Sequence, residues 1–147
     1  MNNRRKLIVA LSASALAAPF GSFAQQQGKV WRVGFLHQGS RPDSFDTHFI
    51  GAFPRRMREL GYAESKNLVI EWRFADGKTE RLPGLAADLV QLKVGAIVAV
   101  DIGISAAQKA TTSIPIVMVG IGDPVGGGFV KSLAHPGGNI TGISNLN

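Results

Sequence analysis

The run VGAIVAV at residues 94–100 constrains this chain more than any other stretch. Seven nearly continuous apolar residues fit a strand covered on both faces, the situation of a central strand in a parallel sheet. Parallel neighbours cannot be joined by a tight hairpin, so such a strand obliges the chain to alternate strands with crossover helices. The remaining sequence supplies that alternation. Residues 30–36 (VWRVGFL), 67–74 (NLVIEWRF) and 116–119 (IVMV) are further β-branched and aromatic runs. Between the first two, Phe49, Ala52, Phe53, Met57 and Leu60 recur at helical spacing, with Arg55, Arg56 and Arg58 off that face. Leu82, Leu85, Ala86 and Leu89 form the buried stripe of a second helix over residues 80–92, and residues 106–112 read as a third. Four strand-helix alternations in this length predict an α/β fold, a doubly wound parallel sheet with right-handed crossovers.

Local punctuation sharpens these elements. Gly61 supplies a left-handed end to the first helix, and Pro54 inside it predicts a kink or a late start. Pro83 is tolerable only in the first turn of the second helix. The aromatic stripe carrying Phe49 and Phe53 is expected to pack on the sheet, and Trp72 to sit in a half-exposed strand pairing. Ser105 is positioned to cap the third helix, and Asp123 to cap a fourth, with Pro124 at its first position.

The first 24 residues read as a leader rather than as part of the fold. A polar and basic start with Arg4, Arg5 and Lys6 precedes an apolar run over residues 7–18; Pro19 breaks it, and Ser22-Phe23-Ala24 places small residues before Gln25. That is the pattern of a secretory signal peptide cleaved near Ala24, and its apolar run is too short for stable insertion across a bilayer. The paired arginines fit the twin-arginine route as well as the general one. The 147-residue chain has no cysteine, so neither a lipid on a leader-site cysteine nor a disulfide framework is expected, and a soluble periplasmic location fits. Three of the charges behind the net +6 belong to the leader, which leaves 13 basic against 10 acidic residues scattered along the rest. No basic stripe with interleaved aromatics is present, so nucleic acid is not an expected partner. At 45% hydrophobic and 18% charged residues, the remainder is ordinary material for one domain.

In open α/β sheets, ligands lie in the crevice beyond the carboxyl ends of the strands. Three stretches reach that edge. Gln38 and Ser40 follow the first strand as candidate hydrogen-bonding side chains, although a plain solvated loop fits as well. Asp101 to Ser105 follow the third; Ser105 at a helix start suits an anion, whereas Asp101 would disfavour a second negative charge and suits an ammonium group. Gly122 and Asp123 follow the fourth within GIGDPVGGG, where the partial G-x-G lacks the third glycine of a dinucleotide fingerprint. Asp123 can act as a helix cap, as a ligand contact, or as both. No metal-ligand spacing, nucleophile elbow or cofactor motif occurs, and His37, His48 and His135 are too dispersed to propose a triad, with His37 itself read as a surface or capping residue. A small secreted enzyme using Asp101 and Asp123 as acid and base across the crevice stays open as an alternative. Turnover with two ionisations in its pH profile would favour that enzyme over a binding protein.

The leader, EWRFADGKTERLPGLAADLV at residues 71–90, IPIVMVGIGDPVGGG from Ile114 and LAHPGGNITGIS from Leu133 together resemble the ABC transporter substrate-binding protein family, in its branch related to tryptophan and tyrosine import. The resemblance covers nearly all of the chain after the leader. It implies the first lobe, over residues 25–142, of a type I periplasmic binding protein. Such a protein closes two lobes around a small solute, amino acids and aromatic ones among them, and hands it to an inner-membrane ABC permease. The resemblance would place the first-lobe contacts at Gln38, Ser40, Asp101, Ser105, Gly122 and Asp123, with no catalytic or metal-binding residue and no cofactor. Two departures stand out: Asp101-Ile102-Gly103-Ile104 replaces a Gly-Thr-Pro-Ala type of turn, and Pro54 takes a position usually friendlier to helix. Residues 143–147 would then begin a crossover to a second lobe, making the chain a fragment of a receptor.

Overall fold

The computed structural model describes residues 28–145, so the leader expected over residues 1–24 lies outside the described residues. Strand β1 spans Trp31–His37, β2 Leu68–Phe74, β3 Ala96–Val100, β4 Ile116–Ile121 and β5 Ile140–Ser144. Helices α1 (Ala52–Glu59), α2 (Leu82–Gln91) and α3 (Gly103–Ala110) form the crossovers. All pairings are parallel, in the order β2-β1-β3-β4-β5, so the expected doubly wound α/β sheet is present with β3 at its centre.

The alternation of side chains along β3 divides the core in two. Ile97 and Ala99 join Leu36, Leu89, Ile104, Ala107, Ile116 and Met118 beneath α2 and α3. Val98 and Val100 face the other way, with Phe35, Ile50, Leu68 and Ile70, beneath α1. Ile97 and Ala99 on one face and Val98 and Val100 on the other are all buried, which explains why residues 97–100 must be apolar at both parities. Trp72 packs among Phe35 at 4.8 Å and Phe45 at 4.7 Å between ring centroids, so it belongs mainly to the second layer. Among the described residues no helix is long and apolar enough to cross a membrane.

Four details differ from what the sequence suggested. The sheet has a fifth strand: β5 pairs Ile140 with Ile116 and Ile143 with Val119, so Ile143 and Ser144, assigned above to a crossover, continue the sheet. No fourth helix follows Asp123. The glycines at 126, 127 and 128 make a helix costly there, and the chain forms turns held by Gly127 N–H to Asp123 O and Phe129 N–H to Pro124 O, each 3.0 Å. Helix α3 begins at Gly103 after Ile102, so Ser105 lies inside its first turn instead of capping it. The aromatic stripe of α1 is only partly core. Phe53 and Met57 pack on the sheet, but Phe49 is 64% exposed. The α-helix starts late, at Ala52, two residues before Pro54; Phe49 falls in a preceding 3₁₀ turn whose tighter winding takes it off the α-helical stripe.

Candidate functional site

The carboxyl ends of β1, β3 and β4 meet along one edge of the sheet, and the chain leaves each strand through a polar or glycine-containing loop. After β1, the backbone of residues 37–39 is fixed from the β2 side: Ala75 N–H donates to His37 O, Gly77 N–H to Gln38 O and Asp76 N–H to Gly39 O, at 2.8–3.1 Å. Gln38 is half-buried there and Ser40 is exposed.

After β3, Asp101 adopts the left-handed conformation with φ 49°, and its N–H donates to Val119 O at 3.1 Å. Asn and Asp enter that region more readily than most residues, since their short polar side chains can bond locally. Its carboxylate leans over β4 at Gly120. There φ is 84°, and a Cβ would lie 2.7 Å from Asp101 Oδ1. Glycine at 120 therefore serves both the backbone turn and the seating of the carboxylate. Asp101 is half-buried and among the described residues forms no ion pair.

Ser105 is half-buried in the first turn of α3, four residues after Asp101. After β4, Gly122 and Asp123 are exposed, and Asp123 Oδ1 accepts the Gly126 N–H at 2.7 Å. One carboxylate oxygen of Asp123 is thereby committed to its own turn. Gln38, Ser40, Asp101, Gly122 and Asp123 belong to the loops of this edge and Ser105 to the helix turn that follows one of them, but they are not equal: Asp101 is half-buried against Gly120, while Ser40 and Asp123 stand out in solvent.

The same edge holds an aromatic group that the sequence reading did not assign to it. His37 ends β1 with its ring 6.0 Å from Phe49 and 6.1 Å from Phe74, both edge-on, and His48 lies 4.5 Å from Phe49. Burial lowers the pKa of His37 below the usual histidine value; the Asp101 carboxylate opposes this and His48 adds to it. The imidazole is therefore neutral at pH 7. The sequence signal for this group lies in His37 at the end of β1, but the spacing of Phe49 points to the core stripe of α1, and His48 lies eleven residues from His37.

A concavity of about 360 Å³ lies elsewhere, between α2 and α3, lined by Pro83, Ala87, Val90, Gln91, Ala106 and Lys109. It is mostly apolar and brings only Gln91 and Lys109 as polar side chains, whereas ligand sites combine an apolar wall with several convergent polar groups. The carboxyl edge places more polar side chains, Gln38, Asp101 and Ser105, at the same edge of the sheet as the rings of His37, Phe49 and Phe74. Among the described residues no cluster of His, Asp or Glu is suited to hold a metal ion.

Residues 42–147 match the family described as ABC transporter substrate binding protein. A tyrosine-binding protein of Clostridioides difficile (strain R20291) is 35% identical over 94 residues, which are 63% of this chain and 27% of that protein. A ligand-free, open substrate binding protein with adhesive properties from Clostridium difficile superposes with a TM-score of 0.72 at 27% identity, over 80% of this chain and 40% of that one. The ABC domain from Streptococcus pneumonia in complex with L-Trp gives 0.69 at 28% identity, over 79% and 39%. A conserved domain protein from Vibrio cholerae gives 0.72 at 31% identity, over 80% and 40%. The chain thus spans roughly a quarter to two fifths of the length of these relatives. By the family match over residues 42–147, carried on a parallel sheet of the same fold, this chain belongs to the ABC transporter substrate binding proteins.

Proposed function

We propose that the carboxyl edge of this sheet is one wall of a solute site in a periplasmic receptor for an ABC importer. The solute is amino-acid-like, aromatic ones included, and is held between this lobe and a second before delivery to an inner-membrane permease. The observation that carries the reading is the half-buried Asp101 carboxylate, without an ion-pair partner among the described residues, set against Gly120 where three loops converge. An ammonium group supplies the charge that such a carboxylate lacks. Ser105 and the first turn of α3 offer hydroxyl and amide donors for a carboxylate on the same solute. Gln38, Ser40, Gly122 and Asp123 form the rim. The export pattern of residues 1–24 and the names of the relatives, a tyrosine-binding protein and a domain in complex with L-Trp, support the receptor reading and the solute class.

One open wall covers only one side of a solute, while useful affinity needs most of its surface buried. The 147 residues by themselves are expected to bind weakly, with a Kd of roughly millimolar order, about −4 kcal/mol. An amide NMR titration with L-tryptophan tests the site. The expected result is a set of saturable shifts at residues 37–40, 101–105 and 120–123. Shifts confined to the groove between α2 and α3, or none at all, would overturn the reading.

A further inference from the structure

We propose that His37 is the specificity-determining hydrogen-bond donor of this crevice, presenting its Nε2–H beside the Phe49 and Phe74 rings to a hydroxyl carried on the solute's aromatic ring. The inference rests on the solute-binding reading above and adds to it a residue and a ligand group.

The tautomer follows from the backbone. Gly39 N–H donates to His37 Nδ1 at 3.0 Å, so in the neutral ring the proton sits on Nε2. His48 repeats the arrangement, its Nδ1 accepting the Ile50 N–H at 3.3 Å. Among the described residues neither Nε2 meets a protein acceptor, and no buried side-chain nitrogen or oxygen lacks a partner, so these donors are open to solvent. Phe49 is 64% exposed between the two imidazoles, within 4.5 Å of one and 6.0 Å of the other by ring centroids. An exposed phenyl ring with two imidazoles beside it, each with its Nε2–H free of a protein acceptor among the described residues, is a platform for a second aromatic ring with a polar edge.

The charge of the surroundings selects the polar group. Asp101 acts on His37 electrostatically, so an anionic acceptor such as a carboxylate would be repelled where His37 donates. A hydroxyl avoids that repulsion, because it accepts from Nε2–H and retains a proton to give to a carboxylate or to water. A bare phenyl ring would leave the donor facing apolar surface, which costs the bond it makes to water. A phenol therefore fits this corner better than an unsubstituted ring.

The test is a titration of the purified protein with L-tyrosine and with L-phenylalanine, following backbone amides and the long-range imidazole signals of His37. Tyrosine is expected to bind roughly five- to tenfold more tightly, the worth of one such hydrogen bond on an open wall, and to move the His37 Nε2 signal. His37→Phe is expected to bring the ratio close to one. His37→Gln, which keeps a donor, should retain part of the preference and guards against a folding defect in the first variant. An unchanged tyrosine-to-phenylalanine ratio in His37→Phe, or crevice shifts with equal affinities in the unsubstituted protein, would overturn the role of His37 and leave the solute site standing. If neither amino acid moves any crevice amide, the solute reading fails and this inference with it.

Discussion

Ile97→Ala is expected to destabilise the protein by about 2–5 kcal/mol, read as a fall in the denaturation midpoint with little change in slope. Ile97 is fully buried on the central strand, paired with Gly34 of β1 on one side and Ile116 of β4 on the other. It lies in the core layer beneath α2 and α3. Removing three carbons there loses transfer energy and leaves a cavity that neighbours in two paired strands cannot move to fill. Domains of this size are stable by only about 5–15 kcal/mol, so the loss is a large share of the total. A change of under 1 kcal/mol would mean that β3 is not the packed centre described here.

Gly120→Val is expected to do two things at once. A β-branched residue at φ 84° is strained by about 1–3 kcal/mol, and its Cβ would meet Asp101 Oδ1 at 2.7 Å, so the carboxylate must leave its seat. Stability should fall by about that amount, measured in denaturant, while amino-acid binding falls below detection. Loss of stability with binding intact would show that the seat of Asp101 does not matter to the solute. Gly122→Ala is the companion control. Nothing lies within 4 Å of a Cβ at 122, so that variant should be near neutral in fold.

How far the sequence disclosed all this follows from which interactions are local. Strands β1 to β4 were readable, because β-branched and aromatic runs of four to eight residues act within their own segment, and Pro54 pointed to a kink or a late start of α1, of which the late start is present. Strand β5 was not. ITGIS is short, has Gly142 at its centre and exposes Thr141, Gly142 and Ile143; what makes it a strand is its pairing with β4, more than twenty residues away. Asp123-Pro124 carried a helix-start signal that three following glycines overrode. Phe49 shows the reverse failure, since its spacing matched the α1 stripe but a 3₁₀ turn placed it in solvent beside His37. The polar half of the candidate site was legible from its position after the strands. Its aromatic half was not, because His37, His48, Phe49 and Phe74 converge only when β1, β2 and the entry to α1 are assembled.

The measurement that bears most directly on the central claim is a comparison of L-phenylalanine with 3-phenylpropionate, which lacks only the ammonium group, on the unsubstituted protein and on Asp101→Asn. If the Asp101 carboxylate receives the ammonium of the solute, phenylalanine should bind the unsubstituted protein roughly tenfold more tightly than phenylpropionate, the range of a charge-assisted bond. In Asp101→Asn that advantage should vanish while phenylpropionate binding holds or improves, since a repelling charge has gone. Equal binding of the two compounds by the unsubstituted protein, or an advantage that survives in Asp101→Asn, would contradict the account.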